Sequence, residues 1–282
     1  MVRPKIYFDT NICIDLANGN NGNIDPNEWN RVRRYIREKY RYCISFITVK
    51  ELFAALARGS EEFFSTNKQP LEILYGCGKR EFLPYPFAFA LQTVLQVRHE
   101  DLHSEPKDGA RLKKMVEVVL DASTKDTLER GIPDRRRRGK FLTFDLDDFD
   151  SVENGPQKEF AKILEGIRDG TIDAPDPRKW SAWLLAQYKM TPYSEQCDAL
   201  SRSLDAAYQH TVFLAALAKN RNYNFAKQES HWGDVAQLFY LCDERMHFLT
   251  SDTEFLSAAK GSTQSSRILL YRDFVQRIPT GC

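Results

Sequence analysis

Lys5-Ile6-Tyr7-Phe8-Asp9-Thr10-Asn11 is an apolar and aromatic run that ends in a carboxylate, and Ile12-Cys13-Ile14-Asp15-Leu16 behind it has the spacing of a first helical turn or two. A short apolar run closed by turn signals is the pattern of a strand buried in a parallel sheet. In an open α/β sheet, groups just past the carboxyl end of a strand line the ligand crevice. The stretch therefore predicts an α/β fold with Asp9 at that crevice and Thr10 and Asn11 opening the next helix.

The chain has 282 residues, 42% hydrophobic and 28% charged, the profile of a globular protein with room for an insertion in its core domain. Forty basic residues stand against thirty-nine acidic ones, so net charge neither points to a nucleic-acid partner nor excludes one. Cysteines 13, 43, 77, 197, 242 and 282 form no Cys-x-x-Cys pair and no cluster of zinc spacing. Cys13, Cys43 and Cys242 lie in apolar contexts that predict buried, reduced thiols. The run after Met1-Val2-Arg3-Pro4 is too short for a signal core, and no window reaches the roughly 18 apolar residues of a membrane span. The expectation is a cytoplasmic protein with no membrane partner.

Asn18-Gly19-Asn20-Asn21-Gly22-Asn23 reads as a turn-rich loop, and Pro26 opens a helix carrying Arg31, Arg33, Arg34, Arg37 and Lys39. Those cations suit either a solvated face or phosphate contact. Tyr42–Phe46 predicts a second strand; after it, Thr48 and Glu51 have the spacing of a capping box, which would give Glu51 a purely structural task. Arg80-Glu81-Phe82-Leu83-Pro84 predicts a third, short strand. Helices are expected near 87–98, 107–129, 156–168, 177–189 and 196–220, with Arg135–Lys140 as a basic loop and Asp145, Asp147, Asp148 and Asp150 as an acidic surface turn. Trp180 and Trp183 suit the core at helical spacing, with base stacking as the other use. Asp234 is expected in the first turn of a helix with His231 just before it, Met246–Thr250 predicts a strand ending in Ser251-Asp252, and Arg267–Tyr271 an edge strand.

Apolar strand, Asp, helix thus occurs twice, at Asp9 and Asp252, and Glu51 and Asp234 lie one turn into other helices. Parallel neighbouring strands would bring these acids together, and packed carboxylates repel unless a cation is present. A hard divalent ion with oxygen ligands, Mg²⁺ or Mn²⁺, is the implied partner, able to activate water against a phosphoryl group. A phosphatase built on Asp9 is disfavoured, because position 11 is Asn rather than a second Asp.

At these residues the chain resembles the PIN-domain family, which includes the VapC-type toxin ribonucleases. The matching motifs are Ile6–Asn11, Ile47–Leu52, Asp234 with Gln237-Leu238, and Leu249–Phe255, in the family's order. The resemblance implies a three-layer α/β/α fold with a mainly parallel sheet and a Mg²⁺- or Mn²⁺-dependent nuclease, usually acting on RNA. It implies Asp9, Glu51, Asp234 and Asp252 as metal-site acids, with Asn11 and Thr250 (and Ser251) as polar helpers. It covers roughly 1–85 and 225–282 and leaves 86–224 as a mostly helical insertion, with a homodimer and an inhibitor or antitoxin protein as further implied partners. A nuclease of branched DNA and a non-catalytic binding module are the competing readings.

Overall fold

The computed structural model describes residues 3–18, 24–77, 80–98, 109–132, 141–142, 150–173, 176–187, 189–219 and 228–279. The basic block Arg135–Lys140, the acids Asp145, Asp147 and Asp148, and most of the loop after Asn18 lie outside them.

Strand β1 (Lys5–Phe8) leads into helices α1 (Thr10–Ala17) and α2 (Pro26–Lys39). Strand β2 (Arg41–Ile44) is followed by α3 (Phe46–Arg58) and α4 (Phe64–Gly76), and then by the short β3 (Arg80–Phe82). Among the described residues seven helices come next: α5 (Pro86–Val94), α6 (Gly109–Asp121), α7 (Lys125–Gly131), α8 (Asp150–Arg168), α9 (Pro177–Gln187), α10 (Ser194–Ser203) and α11 (Asp205–Ala218). Helix α12 (Gln228–Gln237) runs into a 3₁₀ turn, Leu238–Cys242, ahead of β4 (Met246–Thr250). The chain closes with α13 (Thr253–Ala258), β5 (Ile268–Leu270) and α14 (Tyr271–Gln276).

The sheet order is β3-β2-β1-β4-β5, and each pairing is parallel. The chain builds outward from β1 on one side, then crosses back to build outward on the other. Parallel crossovers are right-handed, so the two halves wind over opposite faces and the direction reverses between β1 and β4. Successive β1 side chains show the two faces. Phe8 meets Trp29 of α2 edge-on at 5.7 Å, whereas Tyr7 stacks on Phe248 at 4.9 Å and meets Tyr240 of the 3₁₀ turn at 5.3 Å. With helices on both faces, Ile6, Tyr7 and Phe8 are all at most 1% exposed, which is why this strand reads as a continuous apolar run.

The middle helices share the core with the sheet. Phe87 of α5 and Trp180 of α9 both lie 5.9 Å from Phe239, Phe160 of α8 lies 5.3 Å from Trp232, and His210 of α11 lies 5.3 Å from Phe255 of α13. Two expected helices are each divided. The 107–129 segment breaks at Ala122-Ser123-Thr124, where the Thr124 hydroxyl caps α7 by accepting from the Thr127 amide at 3.0 Å. The 196–220 segment breaks at Leu204. Helical periodicity continues through both breaks, so hydrophobic spacing alone could not show them.

At the amino end of the sheet the buried charges are matched. Lys5 reaches Glu81 at 3.2 Å and Asp243 at 3.6 Å, Arg41 pairs with Glu81 at 2.9 Å, and Arg245 pairs with Asp243 at 2.8 Å. Burial pushes the Asp243 carboxyl up, but Arg245 and Lys5 outweigh it and hold it low. Cys13 and Cys43 are buried free thiols as expected; Cys242 is only partly buried, because the 3₁₀ turn ends there.

Candidate functional site

The carboxyl end of the sheet is built differently. Strands β1 and β4 pair with Phe8 opposite Leu249, so Asp9 and Thr250 follow side by side. The Asp9 amide donates to Leu249 O at 2.9 Å, and its carboxylate Oδ2 accepts from Thr250 Oγ1 at 2.7 Å and from Asn11 Nδ2 at 3.3 Å. Thr250 also accepts the Asp252 amide at 3.0 Å. Its single proton is committed to Asp9, so it orients that carboxylate and has no free hydroxyl proton of its own.

Glu51 arrives from α3, and the capping-box expectation is corrected here. The N-cap of α3 is Ser45, whose hydroxyl accepts the Thr48 amide at 3.0 Å, so Glu51 lies in the helix interior and has no capping task. Thr10 Oγ1 donates to Glu51 Oε2 instead. A buried polar lattice fixes where α3 starts. Ser45 Oγ donates to Gln237 Oε1 at 3.0 Å, Gln237 Nε2 donates to Thr48 Oγ1 at 3.3 Å, and Thr48 Oγ1 donates to Phe8 O at 2.7 Å. Tyr7 hydroxyl donates to Gln237 O at 2.7 Å. The ends of β1, β2 and α12 are thereby tied together.

Asp234 lies in the second half of α12 rather than in a first turn, a correction to the expected helix start, and the macrodipole gives it no reason to be there. His231, expected ahead of the helix, is inside it. Gly233 brings α12 close to α3, because a Cβ there would stand 3.1 Å from Glu51 Oε1.

Asp9, Glu51 and Asp234 line one cavity of about 390 Å³. Its lining also takes in Thr10, Asn11 and Ile14 of α1, Ile47, Lys50, Ala54, Ala55 and Arg58 of α3, and Tyr85, Trp232 and Gly233. Asp252 is not part of that lining. Its Oδ1 caps α13 by accepting the Glu254 amide at 2.7 Å, and it reaches the others by its charge, which raises the pKa of both Asp9 and Asp234. Ser251 turns to Asp15, its Oγ donating to Oδ2 at 3.3 Å.

Burial pushes the Asp9 carboxyl up to about 6, against the opposing hydrogen bond from Thr250. Burial and the charge of Asp9 push Glu51 up to about 7. Asp234 is raised well above the usual carboxylate range by burial, then by Glu51 and Asp9. Among the described residues, the influences on these three acids include one positive charge, Lys50 near Glu51. Unlike the amino end, this cluster is governed by burial and by the repulsion of carboxylates for one another.

The donor set is entirely oxygen and electron-rich, which fits a hard divalent cation. As the side chains stand, no group of three or more His, Cys, Asp or Glu among the described residues forms a ready-made metal shell. Glu51 is turned toward Thr10 and would reorient to share an ion with Asp9, whose Oδ2 alone is taken up by Thr250 and Asn11.

Two of the five basic residues of α2 serve the fold. Arg33 Nη2 donates to Gly76 O, and Arg37 donates to Cys77 O and Gly76 O, each at 3.2 Å. These carbonyls end α4, just before β3 begins, so the arginines cap a helix at the amino end of the sheet, opposite the acids. Trp180, 3% exposed between Tyr208 and Phe239, is a core residue. Gly233, Trp232 and Arg58 are site residues that motif reading passes over. Their signal is positional: Gly233 and Trp232 lie one and two residues before Asp234, and Arg58 about two helical turns after Glu51.

No family model, curated protein or solved structure matches the chain. No helix among the described residues is long and apolar enough to cross a membrane.

Proposed function

We propose that the chain is a divalent-metal-dependent nuclease of PIN-like α/β/α form, acting as an endoribonuclease. The observation that supports this is the meeting of Asp9, Glu51 and Asp234, from three distant segments, in one cavity at the point where the strand order reverses. Asp9, Glu51 and Asp234 would hold Mg²⁺ or Mn²⁺, with Asp252 beside them. When bound, such an ion acidifies water and stabilises charge on a phosphoryl oxygen.

The protein's own groups prepare that chemistry. Thr250 fixes the rotamer of Asp9 and, with Asn11, occupies Oδ2, leaving Oδ1 without a side-chain donor among the described residues. Thr10 is the partner Glu51 would leave on turning to the ion. Exposed Asn11 is placed to donate to a non-bridging phosphate oxygen, and Lys50 and Arg58 add positive charge to the cavity lining.

The test is Asp9→Asn and Asp252→Asn assayed in Mg²⁺ or Mn²⁺ on RNA, single-stranded DNA and forked duplex. RNA cleavage should fall by about 10²-fold or more for Asp9→Asn, and less for Asp252→Asn, which lies outside the cavity lining. Undiminished cleavage by both variants would dispose of the proposal. Preferential cutting of forked DNA would replace the ribonuclease with a DNA nuclease at the same site.

A further inference from the structure

Gln237 is buried, three residues after Asp234 and three before Tyr240. Helix α12 gives way to the 3₁₀ turn just past it. At three residues per turn a 3₁₀ segment keeps i and i+3 in line, so Tyr240 stays on the stripe of Asp234 and Gln237. Helix α3 offers a matching stripe, Ser45, Thr48 and Glu51, at the same interval. The two stripes meet rung by rung. Tyr240 hydroxyl accepts the Phe46 amide at 3.2 Å and donates to Pro84 O at 2.7 Å. Gln237 accepts from Ser45 Oγ at 3.0 Å and donates to Thr48 Oγ1 at 3.3 Å. At the last rung Glu51 faces the backbone of Gly233, beside Asp234.

The first two rungs attract and the last repels. After burial, the charge of Glu51 is the largest influence raising Asp234. A turn that carries a repelled carboxylate swings away unless its neighbours hold it. We propose that Gln237 is a positioning residue: it sets the register of α12 on α3 and so holds Asp234 against Glu51, where both reach one cation without movement of either helix. Thr48 Oγ1 donates to Phe8 O at 2.7 Å, the residue before Asp9, so the third acid is referred to the same amide. Gln237 is outside the cavity lining and acts only through the ligands it aligns. The inference rests on the metal-site reading and names the group that keeps its acids together.

Gln237→Met keeps the length of the side chain and loses the amide. Ser45 Oγ and Thr48 Oγ1, already 3.0 Å apart, then pair with each other while Thr48 keeps Phe8 O, so no buried hydroxyl is orphaned and the fold survives. Tyr240→Phe, which removes the other attractive rung, carries the same readouts should the methionine variant fail to fold. Thr124→Ala, which removes the cap of α7, controls for lost stability alone.

Mn²⁺ titration followed by electron paramagnetic resonance is the first readout. Gln237→Met should raise the dissociation constant about tenfold or more. Its bound Mn²⁺ should gain exchangeable water, seen by proton relaxation, as one carboxylate drops out; Thr124→Ala should move neither quantity. The second readout needs no metal. Asp234→Asn should raise the Tm of ion-free protein at pH 8 by several degrees, and on the Gln237→Met background that gain should shrink by about half or more. Mn²⁺ affinity and hydration unmoved by Gln237→Met, or an Asp234→Asn gain of the same size on both backgrounds, would overturn the positioning role. Wild-type protein that takes up no Mn²⁺ removes the metal reading, and the ion-free comparison then decides the role of Gln237 by itself.

Discussion

Asp9 shows what a single residue costs and what it offers. A carboxylate only 5% exposed, next to two other acids, is held against its preference for water. The sign of the consequence follows from proton counting. With Asp9 raised to about 6 and Glu51 to about 7, the folded state binds more protons than the unfolded chain between about pH 4 and pH 7. Stability of protein stripped of divalent ions should therefore fall as pH rises through that window, by of order 5 °C in Tm. Asp9→Asn should flatten the fall, as should added Mn²⁺ at pH 8; a Tm that rises over the same range would contradict the burial argument. Gly233 gives a second test. Its missing Cβ leaves 3.1 Å to Glu51 Oε1, so Gly233→Ala should displace that carboxylate by a few tenths of an ångström. Cleavage should drop several-fold, read as kcat, while Tm changes little. The two strand-end acids could be read from the chain because strand, Asp, helix is a local pattern. The task of Glu51 could not, since the choice between Ser45 and Thr48 as cap depends on Gln237, almost two hundred residues away in sequence.

At the scale of elements, α3 and α2 point in opposite directions. The α3 start is set by Ser45, which caps the helix and satisfies buried Gln237 at once. Ser45→Ala should cost about 1–3 kcal/mol, measured by denaturant unfolding, because a cap is lost and Gln237 Oε1 is left unpaired. Charge density left α2 open to a solvated face or to phosphate contact, whereas Arg33 and Arg37 serve the carbonyls that end α4. Arg33→Ala should lower Tm yet leave oligonucleotide affinity and its salt dependence where they were. Loss of affinity together with stability would restore α2 to the binding surface. Composition can show that a helix is basic; only the packing of α4 shows which acceptors its arginines meet.

In the whole molecule, the strand order decides where chemistry can be. A mainly parallel sheet was legible from its apolar runs, as was the edge position of β5, whereas the order β3-β2-β1-β4-β5 was not. The packing of the middle helices was not, because their contacts with the 3₁₀ turn and α13 join residues far apart in the chain. Those contacts belong to a single core cluster, so heat should unfold the chain in one transition. Phe255→Ala, which removes the ring between Phe248 and His210, should cost about 3–5 kcal/mol and lower that one transition, as seen by calorimetry. Two separated transitions, only one of them shifted, would instead mark the middle helices as an independent unit.

We propose that Asp9, Glu51 and Asp234 gather because a divalent cation belongs among them. Crystals soaked in Mn²⁺ and measured for anomalous scattering test this most directly. A peak is expected in contact with Asp9 and with Glu51 or Asp234, lost in Asp9→Asn crystals. Density in which the three carboxylates keep their places with no ion between them, at saturating Mn²⁺, would contradict it.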